Sequence, residues 1–211
     1  MTKRSKSSDR WLRRQQRDPF AQRARTEGQV SRAHFKLKEL DERFGLIRKG
    51  QAVLELGAAP GGWTRYLEER LGDTGLLVAC DSRPLTHGPA TRYVEGDYGE
   101  PEVDSIIDDI VAERGLDLVL SDMAPNLSGI KAADQARAMG LAELAEDAAR
   151  RWLNPGGSLL VKLFQGEGVD ARLAGLRRDF GKARLVKPRA SRSQSREVYA
   201  IALAFNGVSS G

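Results

Sequence analysis

Lys162 is a residue whose type and surroundings suggest chemistry rather than folding. It lies in the run Ser158–Phe164 (SLLVKLF), which otherwise has the composition of a buried strand. A lysine is almost never buried without a partner, so a strand-tip lysine beside a ligand explains the pattern better than a core lysine does. Burial and a neighbouring cation both favour the neutral amine. Such an amine can accept a proton from a weakly acidic hydroxyl.

Three aspartates follow other predicted strands and are candidates for the same site. Asp81 ends the run GLLVACD, Asp97 follows a short strand, and Asp122 follows the run LDLVLS. The carboxyl ends of parallel strands meet at one edge of a sheet, where ligands bind. Asp81 follows Gly57 at roughly the 20-residue interval at which an acid accepts hydrogen bonds from both hydroxyls of a nucleoside ribose. Asp97 follows the third strand, at the place where the adenine edge of a bound nucleoside would lie. An aspartate at a strand end can instead cap a turn.

The stretch Ala52–Trp63 (AVLELGAAPGGW) predicts a buried strand, a glycine turn and the start of a helix. Glycine lets a ligand approach the backbone because it has no Cβ and tolerates positive φ. The spacing differs from the dinucleotide fingerprint G-x-G-x-x-G, since Ala59 stands where the second glycine would be. The turn therefore favours a nucleoside site over a pyrophosphate clamp. A purely structural turn is the alternative.

Alternating strands and helices predict an α/β fold with a mostly parallel, doubly wound sheet. A helix capped by Ser31 and ending at Gly45 leads into it, with apolar residues at near-helical intervals. The predicted strands are Ala52–Leu56, Gly75–Asp81, Arg92–Glu95, Leu116–Ser121, Ser158–Phe164, Ala183–Lys187 and Glu197–Phe205. The further predicted helices are Thr64–Leu71, Ser105–Arg114, Ala132–Leu153 and Val169–Phe180.

The composition suits one globular domain inside the cell. The chain has 211 residues, of which 40% are hydrophobic and 30% charged. Its single cysteine, Cys80, lies in an apolar run and fits core packing in a reducing compartment. No run approaches the ~20 apolar residues of a membrane helix, and the start lacks the apolar segment of a secretory signal. We therefore expect a cytoplasmic protein without membrane association. An organelle transit peptide is the alternative, although Asp9 and Asp18 count against it.

Positive charge is concentrated in two stretches of a chain whose net charge is +5. Residues 1–32 contain ten Lys or Arg and three acidic residues. Two basic stretches on a near-neutral body favour contact with the phosphate backbone of a nucleic acid, and solvated surface is the alternative. We expect a flexible RNA-binding arm at 1–27, a catalytic domain at 28–206 and a short flexible tail at 207–211. The second cluster consists of Lys182, Arg184, Lys187, Arg189, Arg192 and Arg196.

Several motifs in order resemble the FtsJ family of ribosomal RNA ribose 2'-O-methyltransferases, within the S-adenosylmethionine-dependent methyltransferases. They span most of the chain beyond the arm. The resemblance implies a Rossmann-like fold with a seven-stranded, mostly parallel sheet and helices on both faces. The matching stretches are SRAHFKL (31–37), LGAAPGGW (56–63), ACD (79–81), GD (96–97), SDMAPN (121–126), VK-x-FQGEG (161–168) and SREVY (195–199).

The resemblance also implies site residues, a cofactor and a substrate. The cofactor is S-adenosyl-L-methionine, the product S-adenosyl-L-homocysteine, and no metal is expected. The implied substrate is a uridine in the A-loop of large-subunit ribosomal RNA, within the assembled subunit, and we expect a monomer. The catalytic set falls on Lys36, Asp122, Lys162 and Glu197. The family's cofactor contacts fall on Gly61, Trp63, Asp81, Asp97 and Asp122, and the glycine turn adds Gly57, Pro60 and Gly62.

The chemistry requires a base. A ribose 2'-hydroxyl is a poor nucleophile and must lose its proton as it attacks a methyl carbon in line with the departing sulfur. Our hypothesis is that Lys162 takes the proton and that Asp122 holds Lys162 near the methyl group. Lys36 and Glu197 orient the hydroxyl. A sulfonium brings its own leaving group, so the reaction needs no metal.

Other functions share some of these features. Transfer-RNA and cap 2'-O-methyltransferases use the same set of four residues. Enzymes that methylate a nitrogen often carry an aromatic residue shortly after the fourth strand, whereas Asp122 is followed by Met-Ala-Pro-Asn. A non-catalytic ribosome-assembly factor is the alternative from another class, but it has no use for a lysine in a buried strand.

Overall fold

The computed structural model describes residues 18–207. The expectations for residues 1–17 of the arm and 208–211 of the tail lie outside this range. The helices are α1 (Pro19–Thr26), α2 (Ala33–Phe44), α3 (Gly62–Leu71), α4 (Pro101–Val111), α5 (Lys131–Trp152) and α6 (Val169–Asp179). The strands are β1 (Ala52–Leu56), β2 (Leu76–Asp81), β3 (Thr91–Glu95), β4 (Leu116–Ser121), β5 (Leu153–Phe164), β6 (Phe180–Val186) and β7 (Glu197–Phe205).

The strands form one seven-stranded sheet in the order β3-β2-β1-β4-β5-β7-β6. Strands β1 to β5 are parallel, and β7 runs antiparallel to both β5 and β6. The strand order reverses between β1 and β4, which opens a crevice at the carboxyl ends of the strands. The predicted α/β fold with a mostly parallel sheet is confirmed.

Two hydrophobic cores cover the two faces of the sheet. Helices α4, α5 and α6 pack on one face, against side chains such as Leu54 and Val119. Helices α2 and α3 pack on the other, against Val53 and Leu118. The central strands are apolar on both faces for this reason, as expected for a parallel sheet covered by helices. In residues 18–207 we find no helix with the length and apolar character needed to cross a membrane.

Helix α1 lies in the stretch expected to be flexible. The Asp18 carboxylate caps it by accepting the N–H of Phe20, and proline occupies the first helical position. Ala24 packs with Phe35 of α2 and with Ala190 of the loop before β7. Residues 19–26 of the predicted arm therefore form a packed helix, and contact of the arm with RNA stays a prediction.

Several element boundaries differ from the sequence prediction by a few residues, and sheet pairing accounts for two of the differences. The Asn-Pro-Gly-Gly segment after α5 was expected to separate helix from strand, but β5 already starts at Leu153, which pairs with Leu116. Phe180 was placed at the end of a helix, but it begins β6 and pairs with Phe205. In both cases pairing within the sheet overrides local turn and helix signals.

Glu55 is a buried acid in the middle of the first strand. It is 1% exposed, and its Oε2 accepts a hydrogen bond from the Thr64 hydroxyl of α3 at 2.7 Å. Burial raises the pKa of Glu55 to about 8; the nearby carboxylates of Asp122 and Asp81 also raise it, and the hydrogen bonds from Thr64 oppose the rise. Glu55 is therefore predominantly protonated at neutral pH.

We predict that Glu55→Gln flattens the pH dependence of stability. The folded-state pKa lies above the unfolded value of 4.5, so this residue's stabilising contribution is complete below pH 4.5 and is lost as pH rises towards 8. The free energy of unfolding in urea should fall by about 2 to 3 kcal/mol more in the wild type than in the variant between pH 5.5 and 8.5. Equal pH dependence in both proteins would show that Glu55 is ionised.

Candidate active site

The predicted catalytic residues meet around the hydroxyl of Tyr199. Glu197 Oε1 lies 2.6 Å from Lys36 Nζ, and Asp122 Oδ1 lies 3.1 Å from Lys162 Nζ. The Tyr199 hydroxyl donates to Asp122 Oδ1 at 2.6 Å and accepts from Lys36 Nζ at 3.3 Å. It also lies 3.4 Å from Glu197 Oε1. One neutral hydroxyl thus joins two ion pairs into a single network.

The sheet brings these residues together from distant parts of the sequence. Asp122 directly follows β4, and Lys162 lies near the end of the neighbouring β5. Lys162 pairs with Tyr199 in the antiparallel β5–β7 ladder, so their side chains share one face. Glu197 lies two residues from Tyr199 and points to that face, because side chains alternate along a strand. Helix α2 adds Lys36 from above the same face.

Burial and charge together set the ionisation of the network. Lys36 and Lys162 are each 8% exposed, and Tyr199 is completely buried. Burial raises the pKa of Asp122, but the charges of Lys162 and Lys36 and hydrogen bonds from Tyr199 and Lys162 outweigh it, so the pKa lies below its ordinary value. Burial, followed by the Asp122 and Glu197 carboxylates, raises the pKa of Tyr199 well above its ordinary value. At neutral pH Asp122 is therefore a carboxylate and Tyr199 a hydrogen-bond donor.

Lys162 has a specific partner inside the protein. Besides the Asp122 carboxylate, its ammonium donates to the backbone oxygen of the same residue. Two of the three donor positions of Lys162 are thereby directed at one residue, and the amine also borders a cavity. The lysine that the sequence marks as unusual is thus paired internally and faces the cavity as well.

A cavity of about 970 Å³ lies along the carboxyl ends of the strands. Its size is at the upper end of ordinary small-molecule sites. Sequence-predicted residues that border it are Gly57, Asp81, Asp97, Asp122 and Lys162.

Pro60, Gly61, Gly62 and Trp63 do not border this cavity. The Trp63 indole is 2% exposed, and its Nε1 donates to the Ala33 carbonyl at 2.8 Å. Its side chain therefore joins the core between α2 and α3. The first backbone N–H groups of α3 have no intrahelical acceptor, and contact of residues 60–63 with a cofactor stays a prediction.

Gly57 and Asp81 shape the end of the cavity near β1 and β2. Gly57 has φ +76°, and a Cβ there would lie 2.8 Å from the backbone nitrogen of Met123, so only glycine fits. Asp81 Oδ2 accepts the N–H of Ala59 at 2.9 Å, and Oδ1 accepts the N–H of Arg83 at 2.9 Å. Backbone donors therefore fix this carboxylate at the tip of β2, beside the cavity.

Comparison with known proteins identifies the family. The model of the FtsJ-like methyltransferase family matches residues 29–205. The chain belongs to this family. The predicted family and the prediction that the protein is a methyltransferase are thereby confirmed.

Relatives of this methyltransferase match over nearly the whole chain. Ribosomal RNA large subunit methyltransferase E of Legionella pneumophila strain Corby is 46% identical over 203 residues, which cover 96% of this chain and 98% of the relative. The Pseudomonas paraeruginosa strain PA7 protein of the same name is 46% identical over 204 residues, covering 97% and 99%. A crystal structure of a Plasmodium falciparum protein described as a ribosomal RNA methyltransferase is 26% identical, covers 84% of this chain and 98% of its own, and has a TM-score of 0.75.

Sequence reasoning assigned no role to Tyr199, the centre of the methyltransferase's network. A signal was present in the alternation of Glu197 and Tyr199 along one strand face. The sequence could not show that Lys162 would be the cross-strand partner of Tyr199, because register depends on the folded sheet.

Arg32 connects helix α1 to the network around Tyr199 and was also missed. Its guanidinium donates to the Asp18 carboxylate and to the Ala190 carbonyl. The next residue, Ser191, donates its hydroxyl to Glu197 Oε1 at 2.9 Å. The position of the Glu197 carboxylate therefore depends on the loop that Arg32 and Asp18 hold in place.

Part of the second basic cluster is engaged within the chain. Lys187 Nζ donates to the carbonyls of Ser193 and Ser195 at 3.1 and 2.7 Å. Arg192 Nε lies 3.3 Å from the Asp18 carboxylate. These cations order the loop before β7, and contact of the cluster with RNA stays a prediction.

We predict that Tyr199→Phe slows methyl transfer by about three- to tenfold, because the variant loses the hydrogen bond to Asp122, worth about 1 kcal/mol, and the longer one from Lys36, while both ion pairs remain. Single-turnover rates would measure the decrease, and cofactor affinity should stay within twofold.

Tyr66→Phe is the matched control, because the Tyr66 hydroxyl donates to the buried Asp41 carboxylate at 2.8 Å, outside the network. It should leave the rate unchanged. Equal rates for Tyr199→Phe and wild type would mean that this hydroxyl does not position Asp122.

Proposed function

We propose that this methyltransferase transfers a methyl group from S-adenosyl-L-methionine to the 2'-hydroxyl of a ribose in large-subunit ribosomal RNA. The observation that carries the proposal is the buried Lys162–Asp122 pair at the edge of the cavity, with the Lys36–Glu197 pair joined to it by Tyr199. Relatives named ribosomal RNA large subunit methyltransferase E, 46% identical to this chain, support the substrate class.

The finer proposal names the nucleotide and the setting. We propose a uridine of the A-loop, methylated within the assembled large subunit by a monomeric cytoplasmic enzyme. The support is the resemblance of seven ordered motifs together with the names of the relatives.

The residues bordering the cavity suit the proposed cofactor. When bound, S-adenosyl-L-methionine supplies an electrophilic methyl group on a sulfonium that leaves as S-adenosyl-L-homocysteine. Asp81 would accept hydrogen bonds from the ribose hydroxyls, and Asp97 would face the adenine. The glycine turn around Gly57 lets the ligand reach the backbone, and backbone groups of 60–63 would contribute at the start of α3.

The chain's own residues activate the hydroxyl. Lys162 acts as the neutral amine, after its ammonium has released one proton to solvent. The amine accepts the proton of the 2'-hydroxyl while the hydroxyl oxygen forms a bond to the methyl carbon and the carbon–sulfur bond breaks. Asp122 stabilises the ammonium that results, since its carboxylate lies 3.1 Å from Nζ. Lys36 and Glu197, which lie on the other side of Tyr199, orient the ribose 2'-hydroxyl. We assign no metal, because the leaving group departs as a neutral thioether.

Labelled methyl transfer tests this proposal. The chain is incubated with methyl-labelled cofactor and large subunits, free ribosomal RNA or transfer RNA, and the RNA is digested to nucleosides for mass spectrometry. We expect a 2'-O-methylnucleoside from large subunits. The proposal would be overturned if the label were found only in methylated bases, if it were found only in transfer RNA, or if no RNA were labelled.

We predict that Lys162→Met lowers turnover at least about 100-fold, in line with the loss of a general base. Cofactor affinity, measured by calorimetry, should change by no more than a few-fold. Lys49→Met is the control, because Lys49 is an exposed lysine just before β1, at the end of that strand opposite to the cavity. Near-normal turnover of Lys162→Met with bound cofactor would rule out Lys162 as the base.

We also predict that removing residues 1–17 weakens RNA binding. This segment contains seven Lys or Arg, and the slope of log affinity against log salt should become shallower by about 0.7 to 0.9 for each phosphate that these cations neutralise. Binding at several salt concentrations measures the slope, and cofactor binding is the control. An unchanged slope would exclude the segment from RNA contact.

A further inference from the structure

Two large apolar side chains are exposed in the loop that follows Asp122. Leu127 is 67% exposed and Ile130 is 65% exposed. They exceed the other exposed large hydrophobic residues found in the described part of the chain, Ile106 at 48% and Val30 at 44%. An exposed apolar side chain adds nothing to the hydrophobic core, so folding gains nothing from this placement. Two of them three residues apart, unlike a scattered single residue, indicate a contact surface.

The loop is held in this conformation by a buried acid. Asp134 of α5 accepts the backbone N–H and the hydroxyl of Ser128 at 2.8 and 2.7 Å, and the N–H of Gly129 at 3.0 Å. These hydrogen bonds hold the pKa of Asp134 below its ordinary value. The Ser128 hydroxyl in turn accepts the N–H of Ile130 at 3.3 Å. The exposed apolar residues therefore stand on an ordered loop.

The same loop borders the catalytic cavity and carries positive charge. Asn126, next to Leu127, borders the cavity together with Lys162. Arg137 also borders it, and its guanidinium approaches the Asn126 carbonyl at 3.5 Å. Lys131 follows Ile130 and is exposed, as is Arg137. Two exposed apolar side chains and two exposed cations thus lie on and beside a loop that borders the cavity, a combination that matches nucleobases and phosphates.

We propose that Leu127 and Ile130 pack against unstacked bases beside the target nucleotide, with Lys131 and Arg137 facing the adjacent phosphates. This inference rests on the proposed function. A 2'-hydroxyl that reaches the buried Lys162 must belong to a nucleotide drawn out of regular helical structure. Proteins that recognise such RNA bind splayed bases, and in minor-groove DNA complexes apolar side chains such as Leu and Ile wedge between base steps.

The test compares Leu127→Ser/Ile130→Ser with wild type and with Ile106→Ser, which removes an exposed apolar side chain from α4. The probes are a fluorescent single-stranded 12-nucleotide RNA and a duplex of the same sequence. We expect the double variant to bind the single strand about tenfold more weakly and to leave duplex binding within twofold. The KM for the RNA substrate of methyl transfer should rise in parallel, while the Kd for the cofactor should stay unchanged. Leu127→Met/Ile130→Met should restore single-strand binding.

Other results would overturn the inference. Equal weakening on single strand and duplex, or no weakening on either, means that Leu127 and Ile130 do not contact bases. If the KM for large subunits rises while single-strand binding is unchanged, Leu127 and Ile130 contact a ribosomal protein instead of RNA bases. If wild type methylates no RNA, the proposed function fails, whereas methylation by wild type with an unaffected double variant removes only this inference.

Discussion

The site depends on the pairing of Lys162 with Asp122 below the surface of the protein. An ammonium buried to this degree needs a carboxylate and additional hydrogen bonds, or its desolvation destabilises the fold. Asp122 supplies both a carboxylate and a backbone oxygen, and Tyr199 orients the carboxylate from the other side. Lys36 is in the same situation and has Glu197 as its partner. Two cations and two anions thus compensate one another, and removing one of them would leave an unpaired charge.

The sheet topology explains why this network forms where a ligand can reach it. Strand β5 is parallel to β4 and antiparallel to β7, so the end of β5 lies between Asp122 on one side and the start of β7 on the other. The same edge of the sheet holds the glycine turn after β1 and Asp81 after β2. The Lys162–Asp122 pair and the cavity of about 970 Å³ therefore share one edge. The loop between Asp122 and α5 borders the cavity at that edge, and its apolar residues Leu127 and Ile130 are exposed to solvent.

Motifs with strong local chemistry could be interpreted from the sequence. The apolar strands, the glycine turn and the strand-tip acids predicted the fold, and the four ionisable residues of the network were all named. Tyr199 and Arg32 were missed because their roles depend on cross-strand register and on contacts with Ala190, distant in sequence. Helix α1 was missed although Asp-Pro is an N-cap signal, since its apolar contacts come from Phe35 and Ala190. Trp63 belongs to the family motif at 56–63, but its indole packs in the hydrophobic core.

The central claim is that Lys162, held by Asp122, is the group that receives the proton of the ribose hydroxyl. The most direct measurement is a crystal structure of this methyltransferase with S-adenosyl-L-homocysteine and an RNA substrate. The account predicts that the target 2'-oxygen lies within hydrogen-bonding distance of Lys162 Nζ, about 3 Å, with Lys36 and Glu197 beside it. A 2'-oxygen bound elsewhere, with Lys162 still closed on Asp122 and shielded from the RNA, would contradict it.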